Sequence, residues 1–300
     1  MALMLVSGVG ITNLDIIYSG LNTFPKLGTE AYAKGLSIQL GGGVPATLIN
    51  LHRLGVPVRL ATFIGKGLLA DYIHQQLQNY SVQYHDLYSG EGIPFSLTSV
   101  AVTKQDRTFL SYRESVDLDD HTMESVYNTL QGSDVVIMSE GYLPVYRKLK
   151  AEGTKLVLDF GWDDEISLQR FDEYLKLADY YTPNRKEAKK ITNTVSEEDA
   201  LKKLGDYFEY PIVKLDKEGC LVGINGKPVL VAPYSEYKHV DSTGAGDAFL
   251  AGLIYGICHE FDILRSIRAG NLTGGACVAK TGALNGFISE ETLLNTIGIL

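Results

Sequence analysis

The sequence predicts an α/β domain: a mostly parallel sheet covered by helices on both faces, with a small β insertion. Short apolar, β-rich runs alternate with segments of 3.6-residue periodicity along most of the chain, the pattern of βαβ units. The 300 residues are 45% hydrophobic, enough for a large core, and no Pro/Gly/Ser linker divides them. Two regions break the rhythm with strand-type residues around turns.

The first buried strand is Leu3 to Val9, which runs into Gly8 and Gly10 without the basic segment of a leader. Val58 to Ile64, Asp134 to Ser139, Lys155 to Phe160, Tyr180 to Thr182 and Pro211 to Leu215 are the further buried strands. The clearest helices are Ala70 to Tyr80, His121 to Leu130, Ser196 to Phe208 and Ser289 to Ile297. In the first irregular region, Ile16 to Gln39, strand residues are interrupted by Gly20, Pro25, Gly28 and Gly35. In the second, Ser96 to Arg113, residues alternate on both sides of a turn at Lys104 to Arg107, as in an exposed hairpin. The expectation is one domain over 1–300, with residues 16–39 and 96–113 forming a β lid.

Several classes fall away. A net charge of -9 with no basic block argues against a nucleic-acid surface. Cys220, Cys258 and Cys277 lie far apart with no CxxC pair, which reads as reduced thiols in a cytoplasmic protein. The longest apolar stretch, Ala248 to Cys258, is shorter than the roughly 18 residues of a membrane span. Gly226-Lys227 leads into Pro228, so there is no Walker loop, and neither Gly8-Val9-Gly10 nor Gly244-Ala245-Gly246 continues as a dinucleotide fingerprint.

The sharpest segment is His239 to Phe249, HVDSTGAGDAF, followed by an apolar helical run. Small residues before a helix let free N–H groups and the positive end of the helix dipole face one point, an anion site. Asp247 stands at the helix start, where those groups favour an ionised carboxylate ready to accept a proton.

That string resembles the C-terminal signature D-T-x-G-A-G-D of the ribokinase/PfkB family of carbohydrate kinases. Gly41-Gly42-Gly43-Val44-Pro45-Ala46, followed by a helix closing on Arg53-Leu54-Gly55, resembles the family's N-terminal motif. Asn13-Leu14-Asp15 after strand one, Asp106-Arg107-Thr108 in the hairpin and Asn184-Arg185-Lys186-Glu187 after Pro183 keep the family's order of landmarks. The resemblance covers nearly the whole chain and implies a ribokinase-like fold.

It further implies an ATP-dependent kinase of a small sugar or sugar acid, working with Mg2+ and, in some relatives, K+, and a homodimer formed through the lid. Asp247 would be the general base and Gly244, Ala245 and Gly246 the anion site. Asn184, Lys214, Asp216, Gly219, Thr243 and Asn271 match the nucleotide side. Glu187 would hold Mg2+ through water, and Asp241 matches the monovalent-cation region. By residue type alone, Asn184 and Glu187 equally suit a helix cap, Asn271 a solvated position and Asp241 a loop anchor.

Asn13, Asp15, Gly41 and Gly42 match the sugar side, where a carboxylate suits vicinal hydroxyls. Glu140, at a strand end, is a secondary candidate, and Arg107 and Arg113 could read a substrate carboxylate, although a solvated hairpin also accounts for them. The chain departs from the family at Ala46, where Asn is usual, at Asp216, where Gly is usual, and in Gly67 to Asp71. A nucleoside or vitamin-like alcohol kinase of the same fold, and a non-catalytic sugar or nucleotide sensor, stand as the alternatives.

Overall fold

The structure, a computed structural model, describes residues 4–161 and 164–298. In chain order the elements are β1 (Val6–Val9), β2 (Asn13–Leu21), β3 (Gly35–Gly41), α1 (Gly43–Arg53), β4 (Val58–Thr62), α2 (Leu68–Asn79), β5 (Gln83–Asp86), β6 (Ser96–Thr103) and β7 (Arg107–Tyr112). There follow α3 (Asp120–Leu130), β8 (Val135–Met138), α4 (Leu143–Ala151), β9 (Lys155–Leu158), α5 (Leu168–Leu177), β10 (Tyr180–Tyr181), α6 (Arg185–Thr192) and α7 (Glu197–Leu204). The chain closes with β11 (Ile212–Lys214), β12 (Cys220–Ile224), β13 (Lys227–Val231), α8 (Ala245–Cys258), α9 (Ile263–Val278) and α10 (Glu290–Ile297).

Six strands form the central sheet in the order β10-β9-β8-β1-β4-β5, every pair parallel. Strand alternation divides the core between the two faces. Val6, Leu60, Ile137 and Val157 pack with residues of α1, α8 and α9, while Val9, Ala61, Val136, Met138 and Leu158 pack with α3, α4 and α5. The chain starts at β1, builds outward through β4 and β5, and returns to the other side of β1 at β8. The crevice at the C-terminal ends of β1 and β8 is therefore the topological switch point, where such sheets bind ligands.

Two smaller sheets flank this platform. β3-β2-β6-β7 form a four-stranded sheet in which only β2 and β6 run parallel. β11, β12 and β13 form an antiparallel sheet. A single parallel bridge, Asn184 to Lys214, joins that sheet to the edge of the central one. The predicted strand Pro211 to Leu215 thus opens an antiparallel unit, because the chain turns back at residues 216–219 instead of crossing over by a helix. The predicted strand Leu3 to Val9 starts at Val6, and Leu3 lies outside the described residues.

α8 is buried on every side from Ala248 to Ile257, which explains its unbroken apolar sequence. The Thr273 hydroxyl donates to the Ala248 carbonyl across to α9 at 2.7 Å. The helix is therefore held firmly behind its N-terminus.

At the end of β8 the chain is pinned by side chains. The Ser139 N–H donates to the Tyr146 hydroxyl at 2.9 Å, the Ser139 hydroxyl donates to the Val9 carbonyl at 2.8 Å, and the Gly141 N–H donates to the Tyr174 hydroxyl at 2.8 Å. Tyr146 is fully buried. Tyr146→Phe leaves the half-buried Ser139 amide without this partner and should cost about 1 kcal/mol of folding stability, read as a lowered urea midpoint with unchanged slope.

Candidate active site

A cavity of about 1160 Å³ opens at the switch point. Its walls are the loop ends of the central strands (Gly10, Ile11, Ser139, Asp159, Phe160, Asn184), Lys214 at the end of β11, and the N-terminal turns of α1 and α8. A shallower cleft of about 410 Å³ against α7 is lined by Lys202, Lys203 and Asp206 among others, and lacks converging buried carboxylates.

Two glycine turns aim helix N-termini into the cavity. Gly244 caps α8 with φ +75°, and a Cβ there would lie 2.6 Å from the Ala283 Cα, so no other residue fits. Gly42 caps α1 with φ +104° and packs on the Ile11 carbonyl. First-turn amides of a helix have no carbonyl partner within it, which leaves those of Gly246 and Asp247 for an anion. The Ala245 amide is committed to the Ser242 carbonyl at 3.2 Å, so of the three predicted anion-site residues it contributes shape instead of a free donor.

Asp247 lies in the first turn of α8, with its backbone carbonyl accepting from the Thr47 hydroxyl at 3.3 Å. A Cβ at Gly43 would lie 3.6 Å from Asp247 Oδ1 and 3.7 Å from Asp159 Oδ2, so two carboxylates meet at the start of α1. Burial, together with the neighbouring Asp159 and Glu187 carboxylates, pushes the Asp247 pKa well above the ordinary range, and Lys214 opposes the shift. Desolvation and like-charge crowding thus oppose the helix dipole at Asp247, while Lys214 works with the dipole toward the ionised form.

Lys214 is the cation nearest the start of α8, and Arg185 and Lys217 also line the cavity. The Lys214 Nζ lies 3.2 Å from where a Gly246 Cβ would be and 5.8 Å from the Phe249 ring centroid. Asn184 caps α6, accepting from the Lys186 and Glu187 amides at 2.9 and 3.0 Å, while Glu187 Oε2 accepts from the Asn184 amide at 2.8 Å. This capping box satisfies the cap reading and also fixes both side chains at the cavity wall. Among the described residues no three His, Cys, Asp or Glu form a metal cage. That donor set fits a Mg2+ that arrives on nucleotide phosphates and keeps most of its water, near Asn184, Glu187 and Asp159.

Asp216 and Gly219 lie on the turn after β11. Asp216 keeps a left-handed backbone, φ +53°, and its carboxylate lies 3.4 Å from Arg185 Nε, so the acidic group is compensated. Asp tolerates this region better than most residues, and the turn a Gly would make is retained. The Asn271 amide donates to the Val231 and Ala232 carbonyls at 3.0 Å, a buried anchor for the segment carrying Tyr234 and Tyr237 at the far end of the cavity.

Asn13 and Asp15 point to one face of β2, paired with Gly41 and Gln39. A Cβ at Gly41 would lie 3.2 Å from Asp15 Oδ2. Asp15 and Asp247 therefore flank the Gly41–Gly43 turn, whose ends are at most about 7 Å apart. Glu140 pairs with Arg170 at 2.9 Å and does not line the cavity. Arg113 is exposed. Arg107 Nη1 donates to Asp241 Oδ1 at 2.8 Å and to the Thr243 hydroxyl at 2.7 Å. Asp241 also accepts from the Thr243 amide and hydroxyl at Oδ1 and from the Gly282 amide at Oδ2, so a cationic side chain already sits beside the carboxylate matched to the monovalent-cation region.

Asp159 was missing from the predicted set. The rule that selected Glu140, a carboxylate at a strand C-terminus, applies equally at the end of β9.

Glycine turns that aim helix termini into one cavity, with a carboxylate and a lysine beside them on a doubly wound sheet, are the parts that phosphoryl transfer requires. The family profile "pfkB family carbohydrate kinase" matches residues 5–290, and the chain belongs to that family. Its fold is ribokinase-like. The bifunctional protein HldE of Campylobacter curvus is 28% identical over 271 residues, 85% of this chain; the chain spans 57% of that relative's length. The ribokinase of Lactococcus lactis is 23% identical, with 94% of this chain and 93% of that protein covered. The structure of Arabidopsis thaliana ribokinase complexed with ribose and ATP superposes with a TM-score of 0.84 at 22% identity, covering 99% of each chain. Among the described residues no helix is long and apolar enough to cross a membrane.

Burial raises the Asp15 pKa from 3.8 to about 6. Its folded value lies above its unfolded one, so the group's penalty on folding is absent at low pH and complete above the folded pKa. Asp15→Asn should therefore raise Tm at neutral pH and lose that advantage in acid. In the unaltered enzyme KM for the acceptor should rise as pH falls through about 6. Thermal melts at several pH values and a KM profile check both.

Proposed function

We propose that the chain transfers the γ-phosphoryl group of ATP to a primary hydroxyl of a small sugar or sugar acid. The observation that carries this reading is the placement of Asp15 and Asp247 on either side of the Gly41–Gly43 turn, with Lys214 and the α8 N-terminus behind Asp247. Asp15 and Asn13 accept and donate hydrogen bonds at the polyol end, and a carboxylate there repels an acceptor phosphate. The anionic end of a sugar acid would face the exposed Arg113.

Asp247 takes the proton of the acceptor hydroxyl; its raised pKa makes it the stronger acceptor. The hydroxyl oxygen then bonds to the γ-phosphorus while the bond from phosphorus to the β,γ-bridging oxygen breaks and ADP keeps that electron pair. The Gly246 and Asp247 amides, the α8 dipole and the Lys214 ammonium stabilise the charge spread over the transferring group. Mg2+ bound with ATP supplies charge neutralisation and alignment, and Asn184, Glu187 and Asp159 are the side chains that would hold it through water.

An ADP-release screen over free sugars, sugar acids, sugar phosphates and nucleosides tests the reading. A free sugar or sugar acid should be the best acceptor, and Asp247→Asn should lower kcat by about a hundredfold or more with ATP affinity nearly unchanged. A hexose phosphate or nucleoside as best acceptor, or an active Asp247→Asn, would overturn it.

The four-stranded sheet supports a homodimer. Tyr18, Leu36, Ile38 and Leu110 are exposed on the face opposite Asp15, in register across β3, β2 and β7. An apolar sheet face of this kind is an association surface. Light scattering should give twice the chain mass, and Leu36→Asp with Leu110→Asp should give the monomer.

A further inference from the structure

Asp241 holds the catalytic turn together. Its Oδ1 accepts from the Thr243 amide at 3.0 Å and hydroxyl at 2.8 Å, and its Oδ2 accepts from the Gly282 amide at 2.8 Å. Ala283, next to Gly282, is the residue on which Gly244 packs. One carboxylate thus staples the 280–283 loop to the turn that opens α8. Its side chain is only 15% exposed, so its charge needs a partner close by.

The partner comes from another sheet. Arg107 opens β7, in register with Val102, and alternation puts it on the same face as Asp15. Its guanidinium bridges Asp241 and Thr243 through two short, charge-assisted bonds and lies 5.4 Å from the Phe109 ring centroid. Gln39, on β3 of the same sheet, packs against Gly282. Burial alone would raise the Asp241 pKa; the Gly282 and Thr243 donors and Arg107 outweigh it and hold the carboxylate below its ordinary range.

We propose that Arg107 is a positioning residue that serves as a built-in cation for the catalytic turn, coupling the four-stranded sheet to the anion site and making an added monovalent cation unnecessary. The inference rests on the kinase reading for its catalytic consequence, while its structural content stands on the Arg107–Asp241–Thr243 contacts. With Arg107 in place, two loops and a lid-side strand share one charge. Without it, Asp241 keeps the Thr243 and Gly282 donors but loses the cation beside it, and the turn that presents the Gly246 and Asp247 amides loosens.

The test compares wild type, Arg107→Ala and Arg107→Lys in potassium, sodium and choline chloride at equal ionic strength, with ADP release and amide exchange of the 242–250 segment as readouts. Wild type should have the same kcat in all three salts. Arg107→Ala should lose about tenfold in kcat, the scale of a small misplacement of catalytic groups, with a smaller change in acceptor KM and faster exchange in the turn. Low-millimolar guanidinium, but not choline, should restore part of both the rate and the protection, and Arg107→Lys should lie between. Strong potassium activation of wild type would overturn the proposal, as would an Arg107→Ala variant with wild-type rate and exchange, or one impaired without rescue. If no acceptor is phosphorylated by wild type, the kinase reading fails, and exchange with guanidinium still decides the role of Arg107.

Discussion

A cavity proposed to receive a polyphosphate is lined by carboxylates, and its other groups offset that repulsion. Two like charges 4 Å apart repel by about 4 kcal/mol in partly polar surroundings, whereas one helix terminus contributes about 0.3–1 kcal/mol, rising to about 2 when partly buried. A single terminus therefore cannot hold nucleotide phosphates beside Asp247, Asp159 and Glu187. The fold converges the N-termini of α1 and α8 on the switch point and brings in Lys214 through the Asn184–Lys214 bridge between β11 and the edge of the central sheet. The same crowding raises the Asp247 pKa and so strengthens it as a proton acceptor.

The central sheet supplies rigidity where the chemistry needs it. Because β1 lies in the middle of the strand order and is reached first by the chain, its C-terminal end is flanked by loops from both halves of the sequence. α8 is held on all sides by apolar packing, so the Asp247 carboxylate is carried by a helix with little freedom to tilt. The four-stranded sheet lies at the periphery, carries Asp15 and meets the turn that opens α8 through Arg107 and Gln39.

The α/β class, most central strands and the glycine turns were legible because period-2 and 3.6 patterns and the GAGD string are local signals. What escaped were long-range effects. Nothing in the vicinity of Asp159 in sequence says that it meets Asp247, some 90 positions away, and the strand-end rule favoured Glu140, which a nearby arginine on α5 takes up instead. Arg107 and Asp241 were both singled out, but their pairing across 134 residues depends on how one sheet folds over another. The antiparallel turn after β11 was hidden because a buried three-residue strand looks alike in either sheet type.

Strand alternation binds the site and the outer surface of the four-stranded sheet into one problem. Asp15, Gln39 and Arg107 occupy the inner face, and Tyr18, Leu36, Ile38 and Leu110 the outer one, because residues two apart share a side. A slip of one residue would exchange the sets, burying apolar groups against the acceptor and exposing the carboxylate. The register is pinned at its root by Leu14 and Leu40, which are buried in the main core. The irregularity between Tyr18 and Leu21 falls beyond the rows that carry Asp15. One regular face therefore presents Asp15 beside the glycine turn and, at its other end, Arg107 beside the turn that opens α8.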